Sequence, residues 1–205
     1  MNAGHRFESP IAQFQENPLT RSWPEPAAVA ALFRYCVKRF IDLCLANPRI
    51  WLTSDDLRSL LAQILREELP SHGLPASAVH LGYPVATILK QDTSKFRHNQ
   101  PLDLVLVIPD TIHWDAHNKA EAVLTLAAAV RMGFDAQGGG REAISHLTLL
   151  KEKLPSIQCY LVVMGFQDSQ ENIEALKQAA AEADIVLLGD NYTGLAELIS
   201  QEKLL

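Results

Sequence analysis

Between residues 141 and 192 the sequence alternates two kinds of segment: "REAISHLTLLKEKL", "QCYLVVMGF", "SQENIEALKQAAAEAD" and "IVLLGDNY". The first and third carry apolar residues at helical spacing. The second and fourth are short, continuous apolar runs with no polar face. A strand that is apolar on both faces must be covered on both, and helices lying between such strands supply the cover and the crossovers. This alternation therefore predicts an α/β fold whose C-terminal strands pair in parallel. With 205 residues, 48% of them hydrophobic, the chain has the size and apolar content of one ordinary domain with an added helical arm. The division expected is residues 1–53 as N-terminal arm and helix, and 54–205 as the α/β domain.

The N-terminal half supplies the rest of the architecture. Pro10, Pro18, Pro24 and Pro26 punctuate a polar, irregular start. In "AAVAALFRYCVKRFIDLCLA" Val29, Leu32, Phe33, Cys36, Val37, Phe40, Ile41 and Cys44 mark one helical face, ended by Asn47-Pro48. "TSDDLRSLLAQILREELP" opens with a Thr/Ser cap and two first-turn acids, and stops at Pro70. "VHLGYPVATIL" and "LDLVLVIP" have strand character and flank the polar, basic loop "KQDTSKFRHNQP". Residues 117–133, with Ala127, Ala128 and Ala129 in a row, suit a helix by propensity, with Gly133 as its C-terminal cap. Yet Ala122 to Val130 lacks a polar face, and the wider pattern favours a fully buried strand. The resulting order is helix, three strands, helix, strand, followed by a helix-strand extension.

Composition excludes several classes. No window approaches the roughly 18 consecutive apolar residues of a spanning helix. The first residues contain no apolar signal core. Cys36, Cys44 and Cys159 are too scattered for a disulfide framework or a thiolate metal site, and suit a reduced, cytoplasmic protein. The net charge of −6 argues against a surface given over to coating nucleic acid, though a local basic groove is compatible with it. No phosphate-loop Lys, GxGxxG spacing or nucleophile elbow is present.

The element order resembles the core of the PD-(D/E)xK nuclease superfamily, the restriction-endonuclease-like fold, over about Leu57 to Phe166. In "PLDLVLV" Asp103 stands where that family's second core strand starts with its metal-binding Asp. The resemblance implies Mg²⁺-dependent phosphodiester hydrolysis of DNA, with a Glu-any-Lys triplet on the next strand. There the carboxylate shares the metal with the Asp, and the Lys orients the attacking water. Antiparallel pairing about six residues either side of the turn places that triplet at positions 126–129. Ala127 and Ala129 stand there, at the expected Glu and Lys positions. The resemblance thus implies a DNA endonuclease scaffold that is catalytically inactive as written. The plainer account of the alanines is that something packs closely against them. Gly82, before Tyr83-Pro84 in the first core strand, replaces an acid often found there.

Other residues carry alternatives. Glu68, with Glu67, ends the second helix, where the family often adds a carboxylate to the metal shell; solvated side chains explain both as simply. Glu121 lies too near the turn to face Asp103. Lys90, Lys95, Arg97 and His98 in the first hairpin loop, with Arg131 and Arg141, are candidate DNA contacts. Arg141 follows "QGGG" at a helix start, a position that favours anions. His113, Asp115 and His117 alternate as transition-metal ligands do, but a polar loop accounts for them. Double-strand cleavage would favour a homodimer or a partner nuclease subunit. The rival readings are a non-enzymatic α/β protein-interaction module, and a small-molecule pocket near Gly165 and Gly189.

Overall fold

Proline at the first helical position, apolar residues at 3.6 spacing and a Thr53 cap set the first two helices, and the structure contains both. The computed structural model describes residues 23–47, 53–84, 101–114, 120–134, 140–166 and 170–190. Helix α1 spans Pro26–Ala46 and α2 spans Ser54–Glu68. At the start of α2 a full capping box forms. The Thr53 hydroxyl accepts from the Asp56 N–H, and the Asp56 carboxylate accepts from the Thr53 N–H at 2.8 Å. A 3₁₀ turn, Leu69–His72, carries Pro70 and ends at the left-handed Gly73.

Strands β1 (Val79–Pro84), β2 (Pro101–Val107), β5 (Leu124–Phe134), β6 (Gln158–Phe166) and β7 (Val186–Asp190) form one five-stranded sheet in that order. Two short strands, β3 (His113–Trp114) and β4 (Ala120–Glu121), pair as a separate ribbon between β2 and β5, a feature absent from the sequence expectation. Helices α3 (Arg141–Lys153) and α4 (Gln170–Glu182) are the crossovers. The β1–β2 and β2–β5 pairs are antiparallel; β5–β6 and β6–β7 are parallel. The fold is α/β with an open mixed sheet, and the segment around the three alanines is its central strand.

Two apolar layers hold the sheet. On one face Phe33, Phe40, Leu57, Leu61 and Leu65 of α1 and α2 pack on Leu104, Leu106, Leu126, Ala128, Val130, Tyr160 and Val162. Phe33 and Tyr160 meet with ring centroids 4.6 Å apart. On the other face Ala143, Ile144, Leu147, Ile173 and Leu176 of α3 and α4 pack on Val105, Val107, Ala127, Ala129, Cys159 and Leu161. A central strand covered on both sides needs no polar face, which is why β5 is apolar throughout. Helix α1 shares its core with α2 and the sheet, and Gln158 Nε2 donates to the Pro26 carbonyl at 2.7 Å. Among the described residues, α1 thus belongs to the same core as α2 and the sheet. None of the described helices is long and apolar enough to cross a membrane.

Gly189 has a positive φ of 136°, and a Cβ built there would stand 2.2 Å from the Val163 carbonyl oxygen, its partner across the β6–β7 ladder. The backbones approach where only hydrogen fits. Gly189→Ala is expected to cost about 1–3 kcal/mol, read as a lower urea midpoint. The close approach gives Gly189 a backbone packing role in the β6–β7 pair.

All three cysteines are buried free thiols. Burial pushes Cys36 up from the ordinary 9.0 to about 11, against a lowering by Arg39. It pushes Cys44 and Cys159 to about 12. A raised folded pKa contributes stability that is intact below the unfolded value and lost as pH rises through the folded one. Unfolding midpoints are therefore expected to hold steady to about pH 9, then fall toward pH 12. Native thiols should also react slowly with iodoacetamide at pH 8 and quickly in urea.

Candidate functional site around Asp103

Asp103 is the one buried charged residue among those described, 8% exposed. Its position follows from a break in strand alternation. In a regular strand, residues two apart share a face. Here Val79 of β1 faces α2, whereas Tyr83, two positions past Leu81, packs in the α3 layer. Likewise Leu104 of β2 faces α2 and Leu102 the α3 layer. Between them lies Gly82, left-handed at φ 64°, beside Asp103 in the antiparallel register. At that break Asp103 turns toward α2.

There the carboxylate is held from two sides. Oδ2 accepts from the Val130 N–H at 2.8 Å. This bond lies just past the β2–β5 ladder, whose last pair is Leu104 with Ala128. Oδ1 stands 3.1 Å from Arg58 Nε, an ion pair whose N–H is not aligned for a hydrogen bond. The same guanidinium donates through Nη1 to Asp55 at 2.7 Å. Arg58 lies one turn into α2, so it bridges a first-turn acid and the sheet. Asp55, Arg58, Ser59, Leu81, Gly82 and Asp103 line an open cleft of about 310 Å³.

The other candidate residues separate from Asp103. Ala127 and Ala129 pack in the α3 layer, 0% and 7% exposed, on the face opposite the Asp103 carboxylate. The α2 face at this level presents Ala128 and Val130. The three alanines sit where helices press on the central strand from both sides, and small side chains let them approach. Glu68 sits about 15 Å along α2 from Arg58 and is ion-paired with Arg39 of α1, so it does not share a site with Asp103. Glu67 is exposed and accepts from Gln63. Arg141 opens α3 and is exposed. Arg131 lies in β5, and Glu121 and His113 pair in the small ribbon. Lys90, Lys95, Arg97, His98, Asp115 and His117 lie outside the described residues.

The Mg²⁺ that the family resemblance implies takes several oxygen ligands, at least one or two of them carboxylates. Among the described residues no three His, Cys, Asp or Glu side chains group to hold a metal. Asp103 is engaged by Arg58 and the Val130 N–H, Asp55 by Arg58, and Ala128 and Val130 bring no side-chain oxygen. The donor set does not fit a Mg²⁺ centre. Arg58 was not among the residues singled out in the sequence. Its signal is its place one turn after the Thr53 cap, on a helix packing over the strand that carries Asp103 near its start. No protein-family model, curated protein or solved structure matches this chain.

Proposed function

We propose that the chain is a nuclease-type scaffold of the PD-(D/E)xK kind that does not cleave, and that it binds DNA at the end of the sheet holding Asp103. The observation carrying this reading is the placement of Asp103. It lies at the start of the second of three antiparallel strands, beside the N-terminal turn of the helix that precedes them, and lines a cleft. A helix and a parallel strand follow, the succession the resemblance implies, with a helix-strand extension after them. On β5 beside Asp103, Ala128 and Val130 bring neither a carboxylate nor a Lys, and the Asp55 carboxylate in the same cleft is paired with Arg58, which favours a site that does not hydrolyse. Binding needs only cations near phosphates. The antiparallel pairing puts the start of β2 and the end of β5 at the same end of the sheet, and Arg141 heads the helix after β5.

The test is fluorescence anisotropy with labelled duplex DNA at low and moderate salt, run beside a Mg²⁺-dependent cleavage assay. Binding that weakens with salt, a further few-fold loss in Arg141→Ala, and uncut DNA are the expected results. Cleavage by the chain would overturn the silent-scaffold reading. No binding at low salt would overturn the DNA reading and favour a protein-interaction module.

A further inference from the structure

We propose that Arg58 is a resident cation: its guanidinium occupies the charge-neutralising place that a divalent metal would hold beside Asp103, and so keeps divalent ions out of the cleft. The inference deepens the proposed function and rests on reading Asp103 as the counterpart of a metal carboxylate.

Three observations carry it. First, a carboxylate as buried as Asp103 needs a compensating charge, since an isolated ion removed from water is strongly disfavoured. Arg58 Nε, 3.1 Å from Oδ1, supplies it. Second, the guanidinium lies between two carboxylates, with Nη1 2.7 Å from Asp55. Bridging two carboxylates with one positive centre is what a divalent ion does in a carboxylate site. Third, the cleft beside them is open, about 310 Å³, and lined by the same Asp55, Arg58 and Asp103. Room for a hydrated ion is present; the electrostatics oppose one. A divalent cation entering next to Asp103 would meet a fixed positive charge on the same oxygen, and like charges at such range repel, most strongly at the buried Asp103 end of the cleft.

Removing the guanidinium should therefore uncover a cation site formed by Asp55 and Asp103. The experiment uses Mn²⁺ and the full chain, followed by water-proton relaxation enhancement and by calorimetry. The unaltered chain is expected to show no Asp103-dependent Mn²⁺ binding at millimolar metal. Arg58→Ala should bind Mn²⁺ at least tenfold more tightly than the unaltered chain. Arg58→Ala/Asp103→Asn should lose that gain. Arg58→Gln, which keeps most of the side-chain volume, serves where Arg58→Ala does not fold, and circular dichroism establishes which variants are folded.

Mn²⁺ binding by the unaltered chain that disappears in Asp103→Asn would overturn the proposal, because the guanidinium would then not exclude metal. A folded Arg58→Ala or Arg58→Gln chain with no gain in Mn²⁺ binding would overturn it as well. These outcomes do not depend on DNA. Failure to bind DNA with a normal Mn²⁺ gain removes the DNA reading alone, and DNA binding without a Mn²⁺ gain removes the resident-cation proposal alone.

Discussion

Ala127→Glu is expected to lose on the order of 3–5 kcal/mol of stability, enough to leave a marginal domain largely unfolded. The side chain at 127 is 0% exposed and packs with Ala143, Ile144 and Leu147 of α3. A Glu there must either carry a buried charge without a partner or take up a proton, and both are unfavourable. It would also force a long side chain into a layer packed around a methyl group, which adds overpacking. Ala129→Lys should act in the same direction and somewhat less, since position 129 lies nearer the edge of the layer at 7% exposure. Urea denaturation followed by circular dichroism measures the effect. A loss below about 0.5 kcal/mol would mean that position 127 opens toward solvent or toward the cleft. The same measurement thus separates the two accounts of the alanines. Residues shortened within a cleft regain their long side chains cheaply, whereas residues that let a helix approach do not.

The second large effect is expected at Asp103. Asp103→Ala removes the acceptor of the Val130 N–H and the charge beside Arg58, leaving both groups at a buried position. Breaking one side of a buried pair costs about 3–5 kcal/mol when both partners are enclosed. Arg58 is 30% exposed at its side chain, so water recovers part of that. A loss of about 2–3 kcal/mol follows. Asp103→Asn keeps an oxygen for the Val130 N–H and should cost less than Asp103→Ala. In a double-mutant cycle with Arg58→Ala, the two losses should be less than additive by about 1 kcal/mol or more. Additive losses would show that the Arg58 contact contributes nothing, with the backbone hydrogen bond then explaining the whole effect.

Much of the architecture was legible before any coordinates. The α2 start follows from Thr53 and Asp56 alone, because a cap and a first-turn acid satisfy orphan N–H groups locally. The segments "QCYLVVMGF" and "IVLLGD" were readable as strands, and their parallel pairing followed from the helices between them. The strand reading of the alanine segment also agrees with β5, where two-sided burial outweighs the helix propensity of Ala. The short β3–β4 ribbon was not legible: two residues on each side carry no periodicity to detect.

The site was legible in one residue and not in its surroundings. Sequence parity puts Asp103 with Val105 and Val107, and antiparallel register puts its level on β5 at position 129. By that rule Asp103, Ala127 and Ala129 share a face. The ladder obeys the rule as far as Val105 with Ala127 and Leu104 with Ala128. It fails one residue later, at the break beside the left-handed Gly82, where Asp103 turns to α2. A period of two tells which residues share a face only while the strand stays regular, and β1 and β2 exchange faces together at the level of Gly82 and Asp103. The sequence by itself determined the succession of helices and strands, because caps, periodicity and two-sided apolarity act within a few residues. Only the tertiary structure decided what Asp103 meets. Its carboxylate joins Arg58 and the Val130 N–H rather than positions 127 and 129, because that choice depends on a backbone break and a helix contact spanning three separate stretches of chain.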